Sequence, residues 1–144
     1  MLPVAVDAMG GDRAPDSIVA GALAAHAAGV PVVLVGPDDL ADRVDLGPLE
    51  VIVASEVITM DDDPAQGVRR KKDSTLVRAA EAVRDGRAGA MISAGNTGAT
   101  MASALLRMGR IRGVNRPAIA TPIPVPGAGP TVLLDAGANA EVQA

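Results

Sequence analysis

The feature that most restricts the fold is the complete absence of Phe, Tyr and Trp from a chain that is 49% apolar. Val, Ile, Leu, Met and Ala must therefore fill the interior, and side chains of this size favour helices packed closely on a sheet. The chain also lacks the aromatic surfaces on which single-stranded nucleic acid stacks. Together with a formal net charge of −4, this composition argues against nucleic acid as a partner.

The residues that usually build metal and thiol sites are almost absent. The chain has no cysteine and one histidine, which excludes a disulfide, a thiolate nucleophile and a zinc site made of Cys or paired His. His26 lies in an Ala-rich stretch that predicts a structural role. The N-terminal segment has Asp7 where a secretory signal would be apolar, so we expect a cytoplasmic protein.

The order of apolar runs and turns predicts one α/β domain over the 144 residues. Several runs are continuously apolar, which is typical of parallel strands covered by helices on both faces. Pro122 and Pro124 restrict their segment to a sheet edge or an extended connection. The pattern ends on a strand and a polar turn without a following helix, so we expect a truncated domain. Strands are predicted at 2–6, 31–35, 49–53, 90–93, 118–120 and 131–134, and helices at 15–29, at 74–85 and after 98, the last with Met101, Leu105 and Met108 on one stripe.

Three of these strands are followed by small-residue turns that carry Asp or Asn, at 7–12, 93–98 and 135–139. Ligands of open α/β sheets bind at the carboxyl ends of the strands, where glycines let the backbone approach an anion closely. The second turn is the best candidate phosphate cradle. It offers the side chains of Ser93, Asn96 and Thr97 and the amides of Gly95 and Gly98. The alternative is that Asn96 or Thr97 only caps the next helix.

A basic segment, Arg69-Arg70-Lys71-Lys72, contains both lysines of the chain and follows the acidic run 61–63. It is interpreted either as a solvated face or as a set of cations for phosphate or for an acidic protein. The turn 9–12 lacks the three spaced glycines of a dinucleotide site, so no nicotinamide cofactor is predicted. Asp7, Asp12 and Asp135 could hold a divalent cation, but capping of turns explains them more simply, and no metal is assigned.

Five blocks of sequence, in order, resemble the phosphate acyltransferase family. They are VAVDAMGGD at 4–12, VRRKKDS at 68–74, ISAGNTGA at 92–99, RPAIA at 116–120 and LLDAGAN at 133–139. The resemblance covers the whole chain but about the first half of a family member, and small departures occur at Gly67, Thr75 and Ala136. It implies a three-layer α/β sandwich with a mainly parallel sheet, similar to isocitrate and isopropylmalate dehydrogenases.

The resemblance also implies an activity: conversion of acyl-[acyl carrier protein] and inorganic phosphate to acyl phosphate in phospholipid biosynthesis. No cofactor is implied. The implied partners are acyl carrier protein, an acyl phosphate-using glycerol-3-phosphate acyltransferase, a second copy of the chain, and a membrane contacted through the missing half. The alternatives are an inactive fragment or scaffold of the lipid-synthesis machinery, and an NAD-dependent dehydrogenase, whose arginine-rich substrate motif is absent. For this activity, the predicted catalytic residues are Lys71, Lys72 and Asn96, and the predicted substrate-binding residues are Asp7, Gly10, Gly11, Asp12, Arg69, Ser74, Ser93, Gly95, Thr97, Gly98, Asp135 and Asn139.

Overall fold

The computed structural model describes residues 1–114 and 117–134. The chain divides into two units, Met1–Gly109 and Arg110–Ala144. Arg116 and the predicted turn at 135–139 lie outside the described residues. In the described part of the chain, no helix has both the length and the apolar character needed to cross a membrane.

A four-stranded sheet forms the centre of the first unit. All neighbouring strands are parallel and their order is β3-β2-β1-β4, so the predicted parallel sheet is confirmed. Continuous apolar runs supply both faces of the central strands, as expected for strands between helices. The strands are β1 Val4–Asp7, β2 Val32–Gly36, β3 Glu50–Val53 and β4 Ala90–Ile92.

Helices cover the two faces of this sheet. Leu34 of β2 packs with Val19 of α1 on one face, whereas Val33 and Val35 pack with Ala79 of α4 on the other. This alternation follows from the two-residue period of a strand. Helices α2 and α3 were not predicted from the sequence. The helices are α1 Asp16–Ala27, α2 Leu40–Arg43, α3 Pro64–Arg70, α4 Thr75–Arg84 and α5 Thr97–Ser103, which continues into a π-helical segment, Ala104–Met108.

The two outer strands, β3 and β4, are more exposed than the strands covered on both faces that the sequence predicts. Ala90 of β4 is exposed and Ile92 is 56% exposed, and Glu50 and Val53 of β3 are exposed as well. The reason is topological, because β3 and β4 are the edges of the sheet. An apolar run therefore indicated strand conformation correctly but did not indicate the position of the strand in the sheet.

The helix predicted after residue 98 is confirmed, but only Leu105 of its predicted apolar stripe is partly buried. Met101 and Met108 are exposed, whereas Ala99 and Ser103 are the buried residues of α5. This helix packs against α3 through small residues: a Cβ atom added at Gly98 would lie 2.8 Å from Cγ of Pro64. Close approach between helices is what excludes larger side chains from this contact.

The described part of the second unit contains a two-stranded antiparallel sheet, in which β5 Ala120–Ile123 pairs with β6 Thr131–Leu134. The predicted strand at 131–134 is thus confirmed as a strand, but its pairing differs from the prediction of a strand in the parallel sheet. Pro122 lies within β5 opposite Val132. A two-stranded sheet consists of edge strands only, where a residue without an amide hydrogen is tolerated.

Candidate functional site

The turns at 7–12 and 93–98 lie side by side because β1 and β4 are neighbours in the sheet. Ser93 Oγ donates a hydrogen bond of 2.7 Å to Asp7 Oδ2, and the backbone amide of Gly95 donates to Ser93 Oγ at 3.1 Å. The other carboxylate oxygen of Asp7 accepts from the amide of Met9 at 3.2 Å. Asp7 is only 4% exposed, so its carboxylate joins the two turns and faces the protein.

Glycines make this contact between the turns sterically feasible. A Cβ atom on Gly10 would lie 2.6 Å from Oδ2 of Asp7 and closer still to Oγ of Ser93. A Cβ atom on Gly95 would lie 3.1 Å from Cα of Gly10. Gly11 has a φ of +124°, a conformation that side-chain-bearing residues rarely adopt. The glycines predicted to admit an anion are therefore needed for packing between the turns themselves.

Asn96 caps α5 and binds a neighbouring loop at the same time. Its Oδ1 accepts from the amide of Ala99 at 3.0 Å, which is the capping arrangement that the sequence left open. Its Nδ2 donates to the carbonyl oxygens of Thr59 and Asp62, at 3.2 and 3.3 Å. The side chain is 9% exposed. All three bonds go to the protein, so Asn96 fixes the shape of the site.

The loop 57–62, which Asn96 contacts, holds an ion pair. Lys71 Nζ lies 2.6 Å from Asp62 Oδ2, and the amide of Thr59 donates to the same oxygen at 2.7 Å. The hydrogen bond from Lys71, followed by that from the Thr59 amide, lowers the pKa of Asp62 from 3.8 to about 2. Thr59 and Asp62 are not among the site residues predicted from the sequence. The acidic run beside the basic segment was the available signal, but spacing alone could not pair the charges.

The remaining cations of the basic segment point to solvent. Arg69, Arg70 and Lys72 are exposed at the end of α3 and just after it, whereas Lys71 is partly buried. The four consecutive cations thus divide into one that is engaged in the protein and three that present charge on the surface. Both interpretations of the segment, a solvated face and a binding surface, are compatible with the exposure of these three side chains.

The other predicted site residues fall into three groups. Asp12 and Thr97 are exposed on the two turns. Ser74 has no exposed surface, and its hydroxyl accepts from the amide of Val77 as the N-cap of α4, so contact with a ligand is not available to it in this conformation. Asp135 and Asn139 lie outside the described residues. Among residues 1–114 and 117–134, no group of three or more His, Cys, Asp or Glu side chains forms a metal-binding cluster.

An apolar groove of about 440 Å³ runs between α1 and the β1–β4 edge of the sheet. Asp7, Ser93 and Ala94 contribute to its wall, so the groove is continuous with the paired turns. The apolar part of the lining comes mainly from strand residues and from small residues of α1. These lining residues are Val4, Val6, Ile18, Gly21, Ala22, Ala25, Val30, Val32 and Ile92.

The sequence pattern of the family described as "Fatty acid synthesis protein" matches residues 2–144. The chain belongs to this family. Named members agree with the match. A phosphate acyltransferase of Anaeromyxobacter sp. (strain Fw109-5) is 51% identical over 94% of the chain and 40% of that relative. One from Pelotomaculum thermopropionicum is 50% identical over 97% of the chain and 42% of the relative, and one from Desulforudis audaxviator is 52% identical over 96% and 42%.

The family match confirms the resemblance found in the sequence, and it covers both turns and the basic segment. The chain spans about two fifths of the length of the curated relatives it matches. The residues described above therefore represent only a part of a full-length family member.

Proposed function

We propose that this chain is part of an enzyme that transfers an acyl group from acyl carrier protein to inorganic phosphate. The proposal is supported by the family match together with the contact between the two turns. Each turn belongs to one of the sequence blocks that resemble the family, and the contact brings both blocks to the carboxyl edge of a parallel sheet. This edge is where ligands of open α/β sheets bind. Relatives of the chain carry the name phosphate acyltransferase.

In the proposed reaction, an oxygen of phosphate attacks the carbonyl carbon of the thioester. The new carbon–oxygen bond forms as the carbon–sulfur bond breaks, and the sulfur leaves with its electron pair and takes up a proton as the free thiol of the carrier protein. Phosphate is already an anion at neutral pH and needs no strong base to attack. Holding the two reactants in the correct orientation then supplies most of the rate enhancement.

Each residue of the site has a defined part in this proposal. Asp7, Ser93 and the glycines of the turns build the floor, and Asn96 fixes the adjoining loop. The hydroxyl of Thr97 is exposed on the turn and is proposed to contact phosphate. Lys72, the residue after Lys71, is exposed. It is proposed to stabilise the negative charge that develops on the oxyanion, as a preorganised cation does. Asp12, Asp135 and Asn139 are proposed to orient the substrate.

The surface cations Arg69 and Arg70 are proposed to bind the carrier protein, which is acidic. Charge complementarity of this kind mainly accelerates association and weakens as salt is added. We also propose, from the family resemblance, a cytoplasmic homodimer with peripheral contact to the membrane and delivery of acyl phosphate to a glycerol-3-phosphate acyltransferase. These assignments concern the full-length protein.

Two other functions make different predictions. A dehydrogenase would bind NAD, but the turn 9–12 lacks the spaced glycines of a dinucleotide site. A scaffold of the lipid-synthesis machinery would bind the carrier protein without turnover. Both are tested by the experiment below.

The test uses a chimera in which this chain replaces the matching part of the Anaeromyxobacter relative. Incubated with acyl-[acyl carrier protein], the folded chimera should release free carrier protein thiol only when phosphate is present, and NAD should have no effect. The intact relative is the positive control. Release that is independent of phosphate, or none from a folded chimera beside an active relative, would contradict the proposal.

A further inference from the structure

Lys71 contacts both ends of the loop 57–62. Lys71 Nζ donates to the carbonyl oxygen of Val57 at 2.9 Å and to Asp62 Oδ2 at 2.6 Å. These two acceptors lie at the two ends of the loop. One ammonium group therefore closes the loop, much as a bridging ion would.

The same loop is also held by Asn96. Asp62 Oδ2 also accepts from the amide and the hydroxyl of Thr59, at 2.7 and 3.0 Å. The carbonyls of Thr59 and Asp62 then accept from Asn96 Nδ2. The contacts form a continuous path from Lys71 through Asp62 and Thr59 to Asn96 in the turn 93–98.

The segment before the loop is anchored independently of Lys71. Glu56 forms a bridge with Ser74, and the amide of Thr75 donates to the carbonyl oxygen of Glu56 at 3.0 Å. Within the loop, Ile58 stays packed in the core with Val68 and Leu76. Loss of the lysine should therefore loosen the two ends of the loop without displacing α4. This separation makes the role of Lys71 measurable.

We propose that Lys71 is a positioning residue that acts through Asp62 to hold the loop 57–62 and Asn96 in place beside the turn 93–98. Two of the three N–H donors of the Lys71 ammonium are engaged by Val57 and Asp62, which leaves at most one for phosphate. The exposed Lys72 can contact phosphate without sharing its charge with Asp62. The inference rests on the proposed function only for the identity of the anion as phosphate, because the contacts of Lys71, Asp62 and Asn96 are all made within the chain.

Hydrogen exchange in the chain itself tests the positioning role without any assay of activity. In Lys71→Met, the amides of Thr59 and Ala99 should exchange about 10-fold faster, the change expected from losing one charge-assisted contact. Lys71→Arg should restore protection in part, and Lys72→Met is the matched control, with exchange unchanged. Equal exchange in wild type and Lys71→Met would overturn the inference. If Lys71→Met does not fold, Lys71→Gln gives the same comparison.

Titration with inorganic phosphate, monitored through the amide resonances of residues 95–98, distinguishes positioning from direct binding. The two roles predict opposite effects of Asp62→Asn on the affinity for phosphate. Positioning predicts that Lys71→Met and Asp62→Asn each weaken phosphate binding several-fold, and that the double variant is no weaker than either, because both break one contact. Direct binding by Lys71 predicts that Asp62→Asn strengthens phosphate binding, because a competing negative charge is removed. That result would overturn the inference. If wild type binds no phosphate in the chain or in the chimera, the phosphate site of the proposed function fails, and hydrogen exchange alone decides the role of Lys71.

Discussion

The two glycine turns and the basic segment both carry sequence blocks of the family, yet they use their polar residues in opposite ways. In the turns, Asp7 and Ser93 bond to each other and to backbone amides. In the basic segment, three of the four cations are exposed to solvent. A polar residue in a family block is thus either part of the framework of the site or available to a ligand. The contacts made in the folded chain distinguish the two.

The largest effect on stability is expected at the contact between the turns. Gly10→Ala places a Cβ atom 2.6 Å from Asp7 Oδ2, and the overpacking should lower the free energy of unfolding by about 1–3 kcal/mol. Gly21→Ala in α1 is the matched control, since nothing lies within 4 Å of its added Cβ; it should raise stability by up to about 1 kcal/mol. Urea unfolding of the chain measures both. Equal effects at the two positions would remove the distinction between a framework glycine and an ordinary helix glycine.

The next effect is expected at Asn96. Asn96→Ala removes the cap of α5, at about 1 kcal/mol, and leaves two loop carbonyls without their donor, so the total loss should approach about 2 kcal/mol. Asn96→Ser keeps a capping oxygen and should lose less. If Asn96 also contacts phosphate, as the sequence predicts, turnover of the chimera should fall by about 10²-fold. A fall that only follows the unfolded fraction would leave Asn96 as a framework residue alone.

A pH-dependent effect is expected from Asp62. Its folded-state pKa is lowered from 3.8 to about 2 by Lys71 and Thr59, so its contribution to stability is present above pH 3.8 and is lost as the pH falls toward about 2. The stability difference between wild type and Asp62→Asn should therefore be constant near neutral pH and shrink across this acid range. Asp61→Asn, which alters the exposed neighbour, should show no such change. Denaturant unfolding at a series of pH values makes the comparison.

The smallest effect on stability is expected in the basic segment. Replacement of Arg69 and Arg70 together with Ala should change the free energy of unfolding by less than about 0.5 kcal/mol, because both side chains are exposed. In the chimera, the apparent KM for acyl carrier protein should rise and lose part of its salt dependence, while that for phosphate stays nearly constant. Arg87→Ala, at an exposed arginine outside the segment, is the control. Unchanged constants in the double variant would make the segment a solvated face.

Much of the first unit could be predicted from local pattern. The apolar runs located β1 to β4, and helical spacing predicted a helix at 74–85 where α4 spans Thr75–Arg84, because strand and helix conformation depend on neighbouring residues. Helix α3 was missed because a run of acidic and basic residues conceals its short apolar pair, Gly67 and Val68. The burial of Ala99 and Ser103 rather than of Met101 and Met108 depended on how closely α5 approaches α3, which periodicity does not report.

The family, the parallel sheet and the placement of two turns at its carboxyl edge followed from the sequence, because ordered motifs and hydrophobic runs are local properties and parallel strands bring their carboxyl ends to one edge. The tertiary structure decided which polar groups bond to each other and which remain exposed. Lys71 and Lys72 are adjacent and chemically identical, yet one is held by Val57 and Asp62 while the other faces solvent. That difference arises from contacts across 9 to 14 residues of chain, and no local pattern contains it.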